Sequence, residues 1–175
     1  NIIVDAKSGV TGAGRGLKLQ NSFCECTENM KAYKVATHRH TSEIEQELSN
    51  VAGEEIMISF TPHLIPQKRG ILSTIYVNLN RKTSAEELTE MYKEFYKDEF
   101  FVRVKEVGDL PETKHVAGSN FVDIGVCYDE RLQRAVVVSS LDNIVKGAAG
   151  QAVQNMNLLF GLDEKTALTN PGFYL

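Results

Sequence analysis

No apolar run in this 175-residue sequence reaches the ~18 to 20 residues that a membrane-spanning helix needs. The opening stretch, residues 1–6, is also too short for the apolar core of a secretory signal. No membrane partner is therefore expected. A basic excess is missing too: 19 Lys and Arg stand against 23 Asp and Glu, a net charge of −4 with the two signs interspersed. Nucleic-acid binders usually carry a basic stripe or surplus, so no nucleic-acid partner is expected. Cysteine is scarce, and the odd set Cys24, Cys26 and Cys127 does not read as a disulfide framework. A reducing, cytoplasmic setting follows as the expectation. Repeats, linkers and low-complexity segments are absent, which points to one domain whose core needs no staple. The chain opens without Met in the apolar run Asn1-Ile-Ile-Val-Asp5, and reads as a fragment beginning just before a strand.

What is present is ordinary globular material, 42% hydrophobic and 24% charged, so the patterning has to carry the fold. Residues 2–6 read as a buried strand, 7–16 as a glycine-rich loop, 17–31 as a loop and 33–37 as a short apolar strand. Thr41 or Ser42 then caps a helix in which Ile44 and Leu48 are four apart, and Gly53 stops it. Strands follow over 55–61 and 71–79, separated by a loop over 62–70. Ser84-Ala-Glu-Glu87 is a capping box, opening a helix with Leu88, Met91, Tyr92 and Phe95 at helical spacing. Further strands are expected over 100–105, 115–117, 121–128 and 133–141, and a last helix over 143–160, ended by Gly161. The fold class is α+β: an open antiparallel or mixed sheet of about six strands, with helices packed on one face.

The glycine-rich stretch Ser8-Gly-Val-Thr-Gly12-Ala-Gly14-Arg-Gly16 follows a strand, yet it fits neither nucleotide fingerprint. Gly14 plus three is Leu17 with no amphipathic helix after it, and no Gly-Lys-Ser/Thr closes the run. It reads either as a surface loop or as a loop approaching a small anion, with Ser8 and Arg15 adding a hydroxyl and a positive charge. His38-Arg-His40-Thr-Ser-Glu43 is the densest chemistry in the chain. In extended backbone, residues two apart point the same way, so both imidazoles could face one cleft while Glu43 orients one of them. Zinc held by these histidines with Cys24 and Cys26 is a competing reading, although the spacings are tighter than usual zinc sites. Plain surface histidines are another. No metal is expected. A nucleophile is missing: Cys127 sits in an apolar strand, Cys24 and Cys26 lack an activating context, and no Gly-x-Ser-x-Gly occurs.

Five segments together resemble the N-acetyl-gamma-glutamyl-phosphate reductase family, the NADP-dependent enzymes of arginine biosynthesis. They are Val4-Asp-Ala-Lys-Ser-Gly-Val-Thr-Gly-Ala-Gly-Arg15, His38-Arg-His-Thr-Ser-Glu43, Phe60-Thr-Pro-His-Leu-Ile-Pro66 with Arg69-Gly70, Gly118-Ser-Asn-Phe-Val-Asp-Ile-Gly125, and Asp142-Asn-Ile-Val-Lys-Gly-Ala-Ala-Gly-Gln-Ala-Val-Gln-Asn-Met-Asn157. The resemblance implies a fold like the C-terminal domain of glyceraldehyde-3-phosphate dehydrogenase. Residues 1–140 would form the substrate-binding and dimerisation body, and 141–175 a helix returning to an NADP-binding domain. It implies oxidoreductase chemistry. A cysteine upstream of Asn1 attacks N-acetyl-gamma-glutamyl phosphate, phosphate leaves, and NADPH supplies hydride to give the semialdehyde. His40 or His38 would be the acid/base, His40 being favoured because Glu43 can orient it. Ser8, Gly9 and Tyr33 would lie near the acyl-glutamate, and Asn143 near the nicotinamide. Arg15 and Arg69 are candidate anion ligands by their chemistry. A homo-oligomer, dimer or tetramer, is implied, and the chain alone is expected to be inactive. The alternative is a non-catalytic binding or assembly module of the same fold. A relative acting on aspartyl phosphate is less well matched by the His-Arg-His and Asp-Asn-Ile-Val-Lys-Gly segments.

Overall fold

The computed structural model describes residues 1–16 and 18–173; Leu17, placed by the sequence at the start of a loop, lies outside them. In chain order the elements are β1 (Ile2–Gly9), α1 (Phe23–Cys26), β2 (Lys31–Ala32), α2 (His40–Ala52), β3 (Ile58–Ile65), β4 (Ile71–Asn78), α3 (Ala85–Phe95), β5 (Val102–Val104), β6 (Val122–Asp129), β7 (Arg134–Leu141) and α4 (Gly150–Leu159). The architecture is α+β, built on one mixed sheet of seven strands in the order β2-β3-β1-β4-β7-β6-β5. β1 pairs parallel with β3 and β5 with β6, while β1–β4, β4–β7, β6–β7 and β2–β3 are antiparallel.

Alternation along the strands sorts the residues onto two faces. Val4 lies opposite Ile75, Ile75 opposite Val137 and Val137 opposite Val126, which lines up one apolar face across four strands. Leu88 of α3 packs there against Ile124, Val126, Ala135 and Val137, with Tyr92 and Tyr96 at the margin. The capping box holds: Glu87 N–H donates to Ser84 Oγ at 3.1 Å, fixing where α3 begins. On the opposite face Ile3, Tyr76 and Val136 stand in one row across β1, β4 and β7 and stay only half-buried. Nearby, Lys7 pairs with Asp5 at 2.7 Å. His63 Nδ1 lies 3.0 Å from Asp5 Oδ1 without the alignment of a hydrogen bond.

Several boundaries differ from the expectation. The first strand runs on through Lys7 and Gly9, because β3 and β4 flank it over its whole length. The expected strand at 55–61 is displaced to β3, and Pro62 sits inside it, paired with Ala6. The proline is tolerated because its carbonyl accepts Tyr33 N–H at 3.0 Å on the side of the two-residue strand β2, where its own missing amide would point. Residues 33–37 are turn rather than strand, since Lys34 and Ala36 adopt left-handed φ values of 47° and 56°. Residues 115–117 are not a strand; Thr113–His115 is a 3₁₀ turn. Helix α2 starts one residue before Thr41, after Arg39, with no Ser or Thr side chain capping it, and ends as expected at left-handed Gly53.

The last helix opens with a π turn, Val145–Ala149, before α4. Its inward residues Gln154 and Asn157 are polar. Asn120 Nδ2 and Lys146 Nζ both donate to Gln154 Oε1, at 3.1 and 2.7 Å. Asn157 Nδ2 donates to the carbonyls of Glu164 and Thr166, at 3.1 and 3.0 Å. Gly150 has to be glycine, because a Cβ there would overlap Asn120 Oδ1 and the Val145 carbonyl. Among the described residues no helix is long and apolar enough to cross a membrane. Because Leu88 seals the core face of β6 and β7, Leu88→Ala should cost about 2 to 5 kcal/mol, read as a lower urea midpoint at unchanged m-value.

Candidate functional site

The histidines are delivered by an unusual approach to α2. After Tyr33 the two left-handed residues reverse the chain twice, and Thr37 N–H closes onto the Lys34 carbonyl at 3.0 Å. Such backbone costs on the order of 1 to 3 kcal/mol per residue and persists where surrounding structure imposes it. Arg39 is helical, with φ −60° and ψ −27°, so the extended geometry expected for His38-Arg-His40 does not occur. The rings are nevertheless together, their centroids 4.8 Å apart and edge to face. His38 also meets Tyr33 at 5.6 Å and Phe60 at 5.3 Å, both edge-on, so it sits in a small aromatic box.

The His38 backbone and ring both serve the helix start. Its carbonyl accepts Thr41 N–H at 3.0 Å, and its Nδ1 accepts His40 N–H at 3.2 Å. The ring thus takes an orphan amide of the first turn, which a Ser or Asp side chain more often takes. Burial, then the charges of His40, Lys34 and Arg39, hold the His38 imidazole below its ordinary pKa. Burial raises the Tyr33 phenol. His40 is exposed, and no hydrogen bond or ion pair joins it to Glu43 among the described residues, so the expected orienting contact is not formed here. The acid points into solvent from the first turn of α2, where it complements the helix dipole.

A second group forms where the glycine-rich segment meets the start of the last helix. Gly9 N–H donates to the Gly70 carbonyl and Val10 N–H to the Gln67 carbonyl, each at 2.8 Å, and the chain then makes a 3₁₀ turn over Val10–Ala13. Thr11 Oγ1 donates to the Lys68 carbonyl at 2.5 Å. Asn143 bridges these strands of structure: its Oδ1 accepts Gly70 N–H at 2.8 Å and its Nδ2 donates to Thr11 Oγ1 at 2.9 Å. Beside it the fully buried Asp142 carboxylate accepts the amides of Gly118 and Ile144, each at 2.7 Å, and of Val145 at 2.9 Å. Arg69 Nη1 lies 3.3 Å from the same carboxylate. Burial works to raise the Asp142 pKa, but the three backbone N–H groups and Arg69 outweigh it and hold the carboxyl below its ordinary value.

The residues expected at the site therefore divide into two groups. Tyr33, His38 and His40 converge with Phe60; Ser8, Gly9, Arg69 and Asn143 converge with Thr11 and Asp142. A Cβ placed on Gly12 would lie 3.5 Å from Asn143 Nδ2 and 3.7 Å from Ser8 Oγ, which puts the Ser8 hydroxyl in the second group. Both groups lie along one face of the sheet, because Phe60 pairs with Val4 and Ser8 with Leu64. That offset is four residues, about 13 Å at ~3.3 Å per residue. Arg69 is half-exposed but already shares its charge with Asp142. Arg15 is exposed at the end of the 3₁₀ segment and makes no ion pair among the described residues. Cys26 Sγ is buried and donates to the Gln20 carbonyl, and Cys24 is exposed. The described residues contain no group of three or more His, Cys, Asp or Glu able to hold a metal. Sequence reasoning passed over Asp142, Thr11 and Phe60. For Asp142 a signal existed, since an Asp two and three residues before the first helical amides is a standard capping position.

A family model described as the semialdehyde dehydrogenase dimerisation domain matches residues 1–143. The chain belongs to that family. It is 66% identical over all 175 residues to an N-acetyl-gamma-glutamyl-phosphate reductase of Acetivibrio thermocellus, covering 51% of that protein. It is 57% identical over 174 residues to one of Caldicellulosiruptor saccharolyticus, covering 99% of this chain and 50% of the relative. The chain thus spans about half the length of the curated relatives it matches, their C-terminal half. Among solved structures, aspartate semialdehyde dehydrogenase II from Vibrio cholerae superimposes with a TM-score of 0.70 at 19% identity, over 91% of this chain and 54% of that one, which supports the fold.

The family's nicotinamide cofactor does not find a cradle in these residues. A dinucleotide site needs a glycine turn that opens a helix with free amides, whereas here the amides of Gly9 and Val10 are bound to the 67–70 loop. Asn143, expected near the nicotinamide, is 6% exposed with both ends of its amide engaged. Its observed role is to tie Gly70 and Thr11 to the last helix.

Asp142→Asn would turn one oxygen into an NH₂ facing a backbone donor. The variant should lose about 2 to 3 kcal/mol, measured by chemical denaturation at neutral pH. A carboxyl with a depressed folded pKa stabilises above its unfolded value, near 3.9, and loses that contribution as pH falls through the lower folded value. Below about pH 4 the stability gap between wild type and variant should therefore narrow.

Proposed function

We propose that this chain is the substrate-binding and subunit-contact half of an NADP-dependent N-acetyl-gamma-glutamyl-phosphate reductase of arginine biosynthesis. The observation that carries the reading is the 66% identity to such a reductase over the entire chain. The adjacent imidazoles at the start of α2 supply the acid/base group that acyl-phosphate reduction requires. The substrate would lie between the histidine box and the Ser8–Gly12 turn, with Tyr33 and Arg15 at its margins, while the nucleophile and the NADP site belong to the other half of the protein. His40 or His38 takes the proton of the nucleophile and returns it to the oxygen of the collapsing intermediate. Residues 1–140 serve as the substrate-binding and dimerisation body, and 141–175 as the segment that returns to the cofactor domain. Leu158, Leu159 and Phe160, which are 60%, 84% and 77% exposed, give that segment an apolar outer end suited to such a contact.

For self-association we assign the sheet face that carries Ile3, Tyr76 and Val136, a half-exposed apolar row across three strands in a family named for dimerisation. Size-exclusion chromatography with light scattering should give at least twice the 19.5 kDa chain mass. Val136→Glu should shift the population toward monomer; an unchanged assembly would move the interface elsewhere.

The activity is tested on the whole protein by phosphate-dependent NADP reduction with N-acetylglutamate semialdehyde. Turnover is expected, and His40→Asn should reduce kcat by on the order of a hundredfold or more. A silent wild-type protein would leave the family membership standing for the fold alone.

A further inference from the structure

The polar face of α4 grips the chain that follows it. Asn157 Nδ2 donates to the Glu164 and Thr166 carbonyls, and the Asn157 backbone carbonyl accepts Leu162 N–H at 2.8 Å. Gln154 Nε2 donates to Glu164 Oε2 at 2.9 Å, while its Oε1 accepts Asn120 Nδ2. One side chain thus fastens residues 162–166 to the segment that contains Asn120. Farther on, the chain returns to that same segment. Phe173 N–H donates to the Ala117 carbonyl at 2.7 Å, and a Cβ on Gly172 would stand 2.6 Å from the same oxygen. A Cβ on Gly118 would overlap ring carbons of Phe173. Gly118 is left-handed, with φ 79°, a conformation that suits glycine. Its N–H is thereby aimed at Asp142 Oδ2, 2.7 Å away.

We infer that residues 161–173 form a strap that positions the turn over Ser8–Gly12: by pinning Ala117 and Gly118 it holds Asp142 and Asn143, and through them the turn. Each later link is a hydrogen bond. Gly118 N–H reaches Asp142, Asn143 accepts Gly70 N–H and donates to Thr11, and Gly9 N–H donates to the Gly70 carbonyl. A second thread runs beside the first. The Thr113 carbonyl accepts the amides of Val116 and Ala117, and a Cβ on left-handed Gly70 would lie 2.8 Å from the Thr113 Cβ. The segment on which the strap lands therefore also backs the Gly70 corner. Phe173 is 73% exposed, so its ring contributes little to the core; it serves as a wall against Gly118. Phe173 is a positioning residue, and only the identity of the substrate at the turn rests on the reductase reading. The histidine box lies roughly 13 Å away along β1 and β3, four residues at ~3.3 Å each. The strap accordingly acts on substrate binding and leaves proton transfer alone.

Phe173→Ala removes the wall, whereas Phe173→Leu keeps an apolar body in its place. In the whole protein, Phe173→Ala should raise KM for N-acetylglutamate semialdehyde about fivefold or more with kcat within about twofold of wild type. Phe173→Leu should restore most of the loss. Gly118→Ala sets a methyl against the ring, and adding Phe173→Ala to it should cost no more than Gly118→Ala alone, because both remove one shared contact. Independently of turnover, hydrogen exchange read by mass spectrometry should be on the order of tenfold faster over residues 8–13 and 116–120 in Phe173→Ala, with β4 and β7 unchanged. Faster exchange confined to residues 161–173 would overturn the inference, since the strap would then hold nothing but itself. A fall in kcat at unchanged KM, or additive losses in the double variant, would do the same. If wild type has no reductase activity, the reductase reading fails, and the exchange pattern still decides whether the strap holds the turn.

Discussion

The buried carboxylate of Asp142 is the point on which the arrangement of the chain turns. Its two oxygens collect amides from Gly118, Ile144 and Val145 and a guanidinium from Arg69, so three separate segments meet at one charge. A carboxylate with no solvent exposure is tolerable only when its lone pairs are filled, and the backbone supplies most of what water would have given. Asn143, the next residue, extends the tie to Gly70 and Thr11. This pair fixes the entry to the last helix, whose α4 segment turns a polar amide face inward.

A second capping interaction does the analogous work for the histidines. Helix α2 lacks a Ser, Thr or Asp cap, and a ring nitrogen of His38 takes that place. The sheet adds only position. Its parallel β1–β3 pairing places Phe60 and Ser8 on the same face, so the aromatic box and the glycine-rich turn flank one stretch of surface. At Asp142 backbone amides and Arg69 outweigh burial, whereas at His38 burial and the neighbouring charged side chains set the electrostatics.

Much of the core and of α3 was legible because local pattern and tertiary environment agree there. Pairing over β4, β6 and β7 runs without a break, and the Ser84 box is a local motif whose partner lies three residues away. Where the reading failed, the deciding contact came from far along the chain. Pro62 argued for a loop, yet it sits in β3 because the edge beside it is only two residues long. Tyr33 to Thr37 looked like a strand by composition, but left-handed Lys34 and Ala36 break it, and no residue type there announces such backbone. Glu43 was expected to orient His40 by sequence distance, and the structure leaves it in solvent.

By itself the sequence determined the class of fold and the family, since ordered motifs covering nearly all the chain survive any error in element boundaries. It also named Tyr33, His38, His40, Ser8 and Asn143 as the residues worth locating. Tertiary structure alone decided what each of them touches. Whether an imidazole donates or accepts depends on which nitrogen a backbone amide reaches, and whether an asparagine faces a ligand depends on what already fills its amide. Those are distances of about 3 Å between atoms whose spacing in sequence ranges from two residues to 132, and no one-dimensional pattern encodes them.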